Sequence, residues 1–262
     1  MIDIKHITLG VVELCREVGS FMRTSRLEFS DTDVEEKGLH DLVSFVDREA
    51  ETRLIVKLSK ILPGSGFLAE ESGARQGGQF RWVIDPLDGT TNFVHGLPLY
   101  SISIALQQEE TTISGVVYEV GRDECFYAWK DGPAMLNNQI VAVSRTSSLQ
   151  KSLIATGFPY SDFSRMTPYM GLFDDLMRAT RGIRRLGSAA VDLAYVACGR
   201  FEVFYEYGLN PWDVAAGAFI VERAGGRLSD FSGDSEVVFG KEIIASNGLV
   251  HDHFLEVTSR YF

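Results

Sequence analysis

Cysteine, positive charge and long apolar runs are all scarce in this chain of 262 residues. The three cysteines, Cys15, Cys125 and Cys198, are odd in number, widely spaced and each set in an apolar stretch. That pattern argues against a disulfide framework or a zinc cluster and predicts buried, reduced, inert thiols. No run approaches the ~18 apolar residues that span a bilayer, and the residues after Met1 lack a charged region followed by an apolar core, so the cytoplasm is the expected location. Lys and Arg number 25 against 36 Asp and Glu, a formal net charge of −11. Such a balance argues against nucleic acid as the main partner, because a face for phosphate backbone needs clustered Lys and Arg. It would also repel a phosphorylated small molecule unless bound cations inverted the local field. One basic cluster exists, Arg178, Arg181, Arg184 and Arg185; salt bridges at a subunit contact or a solvated helix end rank above anion binding as its meaning.

What is present describes a globular protein with a large core: 45% of residues are hydrophobic and no repeat, low-complexity tract or long linker divides them. Ile4, Ile7, Val11, Leu14, Val18 and Phe21 recur at helical spacing, as do Val43, Val46, Ala50, Leu54, Leu58 and Ile61. These predict two amphipathic helices, the second beginning near His40. Residues 28–40 between them are polar and acidic and predict a mobile loop. Strands are expected at 67–69, 80–84, 101–107, 112–118 and 124–129, with hairpin turns at Glu109-Glu110 and Asn137-Asn138. From about 147 onward strand and helix alternate, at 153–156, 167–179, 188–197, 201–205, 212–224, 243–246 and 251–258. The expected organisation is therefore an α+β half, 1–146, whose sheet is mostly antiparallel, and an α/β half, 147–262, within one unit.

The most informative segment is residues 82–98, WVIDPLDGTTNFVHGLP. Pro86 fixes its own φ and denies the α region to Asp85, so the strand must break there. Asp85 and Asp88 then project from one corner, Gly89 allows close backbone approach, and Thr90, Thr91 and Asn92 start a helix whose unpaired N–H groups attract an anion. Asp-Pro-x-Asp-Gly is also an ordinary turn sequence. Further acids favour a site. Glu70 and Glu71 end a second apolar stretch, and the Gly-rich residues 73–79 would let the two strands lie side by side, bringing Glu70 toward Asp85. Asp213 stands in the first turn of an apolar helix, where an Asp also serves as a cap.

Glu70-Glu71-Ser72, Asp85-Pro86-Leu87-Asp88-Gly89-Thr90-Thr91-Asn92-Phe93 and Trp212-Asp213-Val214-Ala215-Ala216-Gly217 resemble, in order and spacing, the three signature motifs of the inositol monophosphatase family. Gly157-Phe158-Pro159-Tyr160, Arg184-Arg185-Leu186-Gly187-Ser188-Ala189-Ala190 and Tyr205-Glu206 extend the likeness, and residues 91–98 resemble inositol monophosphatases more than the nucleotide-3′-phosphatase branch. Ala69 stands where Gly is usual, and Pro211 where another residue often precedes Trp-Asp; neither change removes a ligand.

The resemblance implies a layered αβαβα sandwich, a homodimer, and lithium-sensitive, magnesium-dependent hydrolysis of phosphate monoesters. Such hydrolysis needs an acidified water, a stabilised leaving alkoxide and a neutralised phosphoryl group, which paired divalent cations can supply, and hard oxygen ligands select magnesium. By the same resemblance Glu70, Asp85 and the carbonyl of Leu87 would hold one metal, Asp85, Asp88 and Asp213 a second, with a weaker third beside Glu70. Thr90 and Asp47 would orient the water; apart from the resemblance, Asp47 reads as an ordinary exposed helical acid. The N–H groups of Gly89 and Thr90 would bind phosphate, while Asp88, Glu206, Asp213 and the backbone at Ala189 would face the polyol. His95 reads as packing or hydrogen bonding, His251 and His253 fall on different helix faces, and Trp82, Trp129 and Trp212 read as core. Lys37 matches a family position near the site but stands in the predicted loop. The expected activity is hydrolysis of myo-inositol monophosphate. Alternatives are a phosphatase for another small sugar, polyol or dinucleotide phosphate, such as fructose bisphosphate or NADP, and a regulatory binding protein with a vestigial acidic pocket.

Overall fold

The computed structural model describes residues 2–28, 34–38, 41–160 and 162–262, without the side chains of 34–38 and 41–43. In chain order, α1 (Ile4–Glu28) is followed by β1 (Val34–Gly38), β2 (Asp41–Ser44), α2 (Phe45–Ile61), β3 (Gly66–Ala69), β4 (Gly73–Arg75), β5 (Phe80–Asp88) and α3 (Thr90–Val94). A meander follows: β6 (Ser101–Gln108), β7 (Thr111–Glu119), β8 (Glu124–Trp129), β9 (Met135–Leu136) and β10 (Gln139–Ile140). The remainder is β11 (Leu153–Thr156), α4 (Met166–Ala179), β12 (Gly182–Arg184), α5 (Ala189–Ala197), β13 (Val203–Tyr207), α6 (Pro211–Arg223), β14 (Arg227–Ser229), β15 (Glu242–Ser246) and α7 (His251–Thr258).

Two sheets carry the architecture. The larger has the order β10-β9-β8-β7-β6-β5-β3-β4 and the smaller β12-β11-β13-β15-β14. Every pairing in the larger sheet is antiparallel except β3 with β5. All its strands precede residue 141 and all those of the smaller sheet follow residue 152, which supports placing the boundary between the two halves near 146, as we propose.

Both sheets are buried on both faces, which is why their strands read as continuous apolar runs rather than alternations. On β5, Trp82 and Ile84 face one way, packing with Val11, Val18, Leu54 and Leu58 of α1 and α2. Val83 faces the other way, joining α5 and α6 through Leu193, Val214 and Ile220, and through them Phe204 and Ala245 of the smaller sheet. Beyond that sheet, Ile154, Tyr205 and Ile244 pack with Tyr169 and Leu172 of α4 and with Phe254 of α7. Helices α1 and α2, sheet, helices α5 and α6, sheet, helices α4 and α7 make the layered αβαβα sandwich that was expected. The middle layer is thin because small residues face each other: a Cβ on Gly115 of β7 would lie 2.6 Å from the Ala216 carbonyl oxygen of α6.

Several boundaries differ from expectation. Helix α1 runs on to Glu28, and α2 begins at Phe45, not near His40. The start is set by a capping box in which Ser44 Oγ accepts from Val46 N–H and Asp47 accepts from Ser44 N–H at 2.8 Å. Part of the predicted mobile loop is an antiparallel hairpin of β1 and β2; residues 29–33 and 39–40 of that loop, and the side chain of Lys37, lie outside the described residues. Strands β4, β12 and β14 have three residues each, too few to show a period.

Candidate active site

Strand ends and helix starts converge on a cavity of about 370 Å³. Strands β3 and β5 are parallel, with Ala69 opposite Ile84 and Glu70 N–H donating to the Ile84 carbonyl at 3.2 Å. Glu70 and Asp85 therefore leave the same sheet edge side by side. The turn after Glu70 is held by the buried Glu51 of α2, whose carboxylate accepts from Glu71 N–H at 2.8 Å and Ser72 N–H at 2.9 Å. Asp85 accepts from Leu87 N–H at 2.9 Å, the local turn that Pro86 enforces. At the next corner Gly89 has φ 100°, in the left-handed region, and a Cβ there would sit 3.1 Å from the Gly187 carbonyl oxygen. Only glycine meets both conditions without strain.

Three more helix starts complete the wall. Asp88 Oδ2 accepts from Ser188 Oγ–H at 2.6 Å and from Ala190 N–H at 2.7 Å, joining β5 to the first turn of α5. Asp213 sits at the third position of α6 behind Pro211, and its Oδ2 accepts from Asn210 N–H at 2.7 Å in a second capping box. Pro211 occupies the first helical position, where its missing N–H costs nothing. Asp47, at the start of α2, is 1% exposed rather than the ordinary surface acid its local sequence suggests. Its Oδ2 accepts from Ser44, and its Oδ1 lies 2.9 Å from Thr90 Oγ1, which also lies 3.0 Å from the Leu87 carbonyl oxygen. One oxygen of Asp47 caps a helix while the other holds Thr90.

Six carboxyl groups line the cavity, Glu70, Asp85, Asp88, Asp192, Glu206 and Asp213, with one guanidinium, Arg185. Burial pushes Asp85 well above the usual carboxylate range, and the facing charges of Glu70, Asp88 and Asp213 push the same way. Asp213 is pushed up to about 8 by burial and by Asp88, against the pull of the Asn210 N–H. Burial also raises Asp88, partly offset by its bonds to Ser188 and Ala190, and raises Asp47 against its bonds to Ser44 and Thr90. Glu206 is pushed up to about 8 by burial, with Arg185 opposing. Arg185 opposes the shifts of Asp88, Asp192 and Glu206 but does not cancel them. An all-oxygen donor set with no His or Cys fits a hard cation. No group of three or more His, Cys, Asp and Glu side chains among the described residues forms a ready cage for a metal ion. Magnesium does not require one, since it keeps several waters and binds through one or two carboxylates.

Of the expected site residues, Glu70, Asp85, Leu87, Asp88, Gly89, Thr90, Ala189, Glu206 and Asp213 all line the cavity, and Asp47 stands behind Thr90. Others line it unforeseen. Arg185, grouped by sequence with exposed arginines, turns to the cavity and donates to Tyr160 Oη at 2.8 Å, whereas Arg178 pairs with Asp174 at 2.9 Å on the surface. Asp192 is 1% exposed on the cavity wall; its signal was a lone acid inside the apolar run Ala189-Ala190-Val191-Asp192-Leu193. Gly157 lines the wall as well, and a Cβ there would fall 2.0 Å from Glu206 Oε2, so the glycine makes room for the carboxylate. Trp212, expected in the core, packs against it only in part and also borders the cavity. His95 is exposed at the end of α3, not packed. His251 is buried between Ser246 and Ser229, and His253 is exposed. Cys15 and Cys125 are buried, Cys198 is half-buried, and burial raises all three thiols.

Residues 3–261 match the model of the inositol monophosphatase family. The Pseudomonas aeruginosa protein called Nus factor SuhB is 41% identical over 238 residues, 88% of each chain. The Thermotoga maritima fructose-1,6-bisphosphatase/inositol-1-monophosphatase is 40% identical over 251 residues, covering 95% of this chain and 94% of its own. Among solved structures, the extragenic suppressor protein SuhB of Bartonella henselae superposes with a TM-score of 0.94 at 37% identity, over 98% of this chain and 100% of that one. With the family match running nearly end to end, the chain belongs to the inositol monophosphatase family.

Proposed function

We propose that the protein is a magnesium-dependent phosphomonoesterase that hydrolyses myo-inositol monophosphate to inositol and phosphate. The observation that carries this reading is the meeting of Glu70, Asp85, Asp88 and Asp213 beside the Thr90–Asp47 pair in one cavity. The family is one of metal-dependent phosphatases. In our reading Glu70, Asp85 and the Leu87 carbonyl hold one ion, and Asp85, Asp88 and Asp213 a second, with a third beside Glu70. When bound, such ions supply charge neutralisation at the phosphoryl group, a lower pKa for water and stabilisation of the leaving oxygen.

The chain's own groups do the positioning. The Thr90 hydroxyl can accept a hydrogen bond from water while donating its single proton to Asp47, which fixes the water's lone pair on one line. The N–H groups of Gly89 and Thr90 face a phosphate oxygen. Asp88, Glu206, Asp213 and the backbone at Ala189 receive the hydroxyls of the leaving polyol. The P–O ester bond breaks as the water oxygen bonds to phosphorus, and the departing alkoxide takes a proton. Magnesium as the physiological metal, inhibition by lithium, a cytoplasmic location and pairing of two copies belong to the same reading.

Two other readings have support. One is a phosphatase for another small sugar, polyol or dinucleotide phosphate, of which the bifunctional name of the Thermotoga relative supports the sugar phosphate. The other is a regulatory binding protein with a vestigial acidic pocket, of which the name Nus factor supports only the regulatory role; the net charge of −11 and the complete acidic set oppose it. A panel of phosphate monoesters assayed with magnesium, then repeated on Asp88→Asn, decides. We expect inositol monophosphate to have the highest kcat/KM and the variant to lose it. A higher value for another ester moves the assignment to that ester, and absence of turnover with every ester overturns the enzymatic reading.

A further inference from the structure

Beyond the acids assigned above, the cavity holds one more that nothing in the proposed chemistry uses. Asp192 lies in the first turn of α5, three residues past Ala189, on the cavity wall. It is 1% exposed, and its Oδ1 has no hydrogen-bond partner; among the described residues it is the only carboxylate oxygen buried in that state. An unpaired buried carboxylate oxygen is costly, and it persists where a ligand completes it. Its place in the first turn of α5 puts it in the favourable field of the helix dipole, which still leaves Oδ1 without a hydrogen-bond partner.

Its surroundings say what the ligand offers. The acid nearest in effect is Glu206, whose charge acts on Asp192 ahead of that of Asp88, and Arg185 acts on both in the opposite sense. Glu206 in turn lies against Gly157, on the wall far in sequence from the Asp85 turn. Two carboxyl groups and one guanidinium on the wall of one cavity do not favour a second phosphate and do favour neutral O–H donors. We propose that Asp192 and Glu206 form a paired acceptor for two adjacent hydroxyls of the phosphorylated polyol, with Arg185, held by Tyr160, balancing their charge. The proposal rests on the polyol phosphatase reading and adds a residue that selects for a vicinal diol in the substrate.

The test compares kcat/KM for inositol 1-phosphate, for its analogue lacking one hydroxyl of a vicinal pair, and for 4-nitrophenyl phosphate, in the wild type, Asp192→Asn and Asp192→Leu. Leaving one partner of a buried hydrogen bond unsatisfied amounts to roughly a 10- to 100-fold change. We expect Asp192→Asn to lose about that much on inositol 1-phosphate and less than about threefold on the aryl ester, and to discriminate less between the inositol ester and its deoxy analogue. Equal losses on both esters, or a wild-type Tm with full inositol activity in Asp192→Leu, would overturn the diol pair. Should the wild type hydrolyse the aryl ester but no inositol ester, the substrate reading fails by itself, and the same ratio is then measured with the preferred polyol phosphate.

Discussion

The cavity has two ends built by different means. At one end Asp85, Asp88, Asp213 and Asp47 each give a carboxylate oxygen to a nearby N–H or hydroxyl, as an Asx turn, a bridge to α5 and two capping boxes. Each acid is aimed by the backbone that carries it, so the other oxygen is presented in a fixed direction. On another part of the wall Glu206 is seated by the absence of a side chain at Gly157, and Asp192 has an oxygen with no partner. The first end is preorganised by hydrogen bonds, the second by shape. Groups that must hold cations and water within tenths of an ångström belong at the first kind of site. Groups that sort among polyols can rely on the second.

The largest effect should come from Asp85, which we place against both metal positions. Asp85→Asn is expected to reduce turnover to background while leaving the fold intact. The apo variant should gain Tm, because one of the mutually repelling acids is gone. Calorimetric magnesium titration alongside activity checks both halves of this claim. Near-normal turnover in the variant would remove the distinction between the two ends.

Next in size is the pair behind the water. Thr90→Ala and Asp47→Asn should each lower kcat by ~10² or more with little change in KM, and the double variant should be no worse than the poorer single, because the two act as one unit. Additive losses would mean that the 2.9 Å contact between them is structural only.

Legibility in the sequence follows the same division. Asp85 and Asp88 flank a Pro-containing turn, and Asp213 lies three residues after its cap Asn210, so local pattern places them. Glu70 needs one further step, the parallel pairing of β3 with β5, which the Gly-rich 73–79 segment permits but does not dictate. Asp47 was readable only through the family resemblance, since 43 residues separate it from Thr90. Arg185 was read only as one of a basic cluster, with anion binding ranked last, and Asp192 was not read at all. Arg185 is solvent-exposed like its neighbours while it also borders the cavity, and nothing local separates it from Arg178, which pairs with an acid four residues away. The long helices were legible from their period and the long strands from their apolar runs, three-residue strands such as β4 and β12 were not, and the layer order came from the family resemblance.

At the shaped end a single methyl group should matter. Gly157→Ala places a Cβ 2.0 Å from Glu206 Oε2, within the carboxylate's own radius, so Glu206 must move. We expect kcat/KM for inositol monophosphate to fall roughly tenfold, corresponding to one weakened hydrogen bond to a charged group, with a smaller loss for an aryl phosphate. Glu206→Gln should give a similar selective loss, on the order of 1–3 kcal/mol in transition-state stabilisation. Equal losses on the two esters would show that Glu206 serves the metal end or the fold.

The smallest effect, and the one that separates the ends without mutation, is the dependence of stability on pH. Asp213 and Glu206 are both raised to about 8, and Asp85 and Asp192 are raised as well, all by burial first. A carboxyl whose folded pKa exceeds its unfolded value of about 4 binds protons more tightly when folded. Its stabilising contribution is complete below pH ~4 and is lost as pH rises through the folded value. The apo protein should therefore lose Tm progressively between about pH 4 and pH 8 and level off above that. Saturating magnesium should remove the share due to the Asp85 and Asp213 end, where a cation replaces the proton. It should leave the share due to Glu206 and Asp192, which only the polyol end can relieve. Thermal melts at several pH values, with and without magnesium, would then show a slope that is reduced but not abolished. A slope that vanishes completely with magnesium would mean that all the acids of the cavity share one cation field.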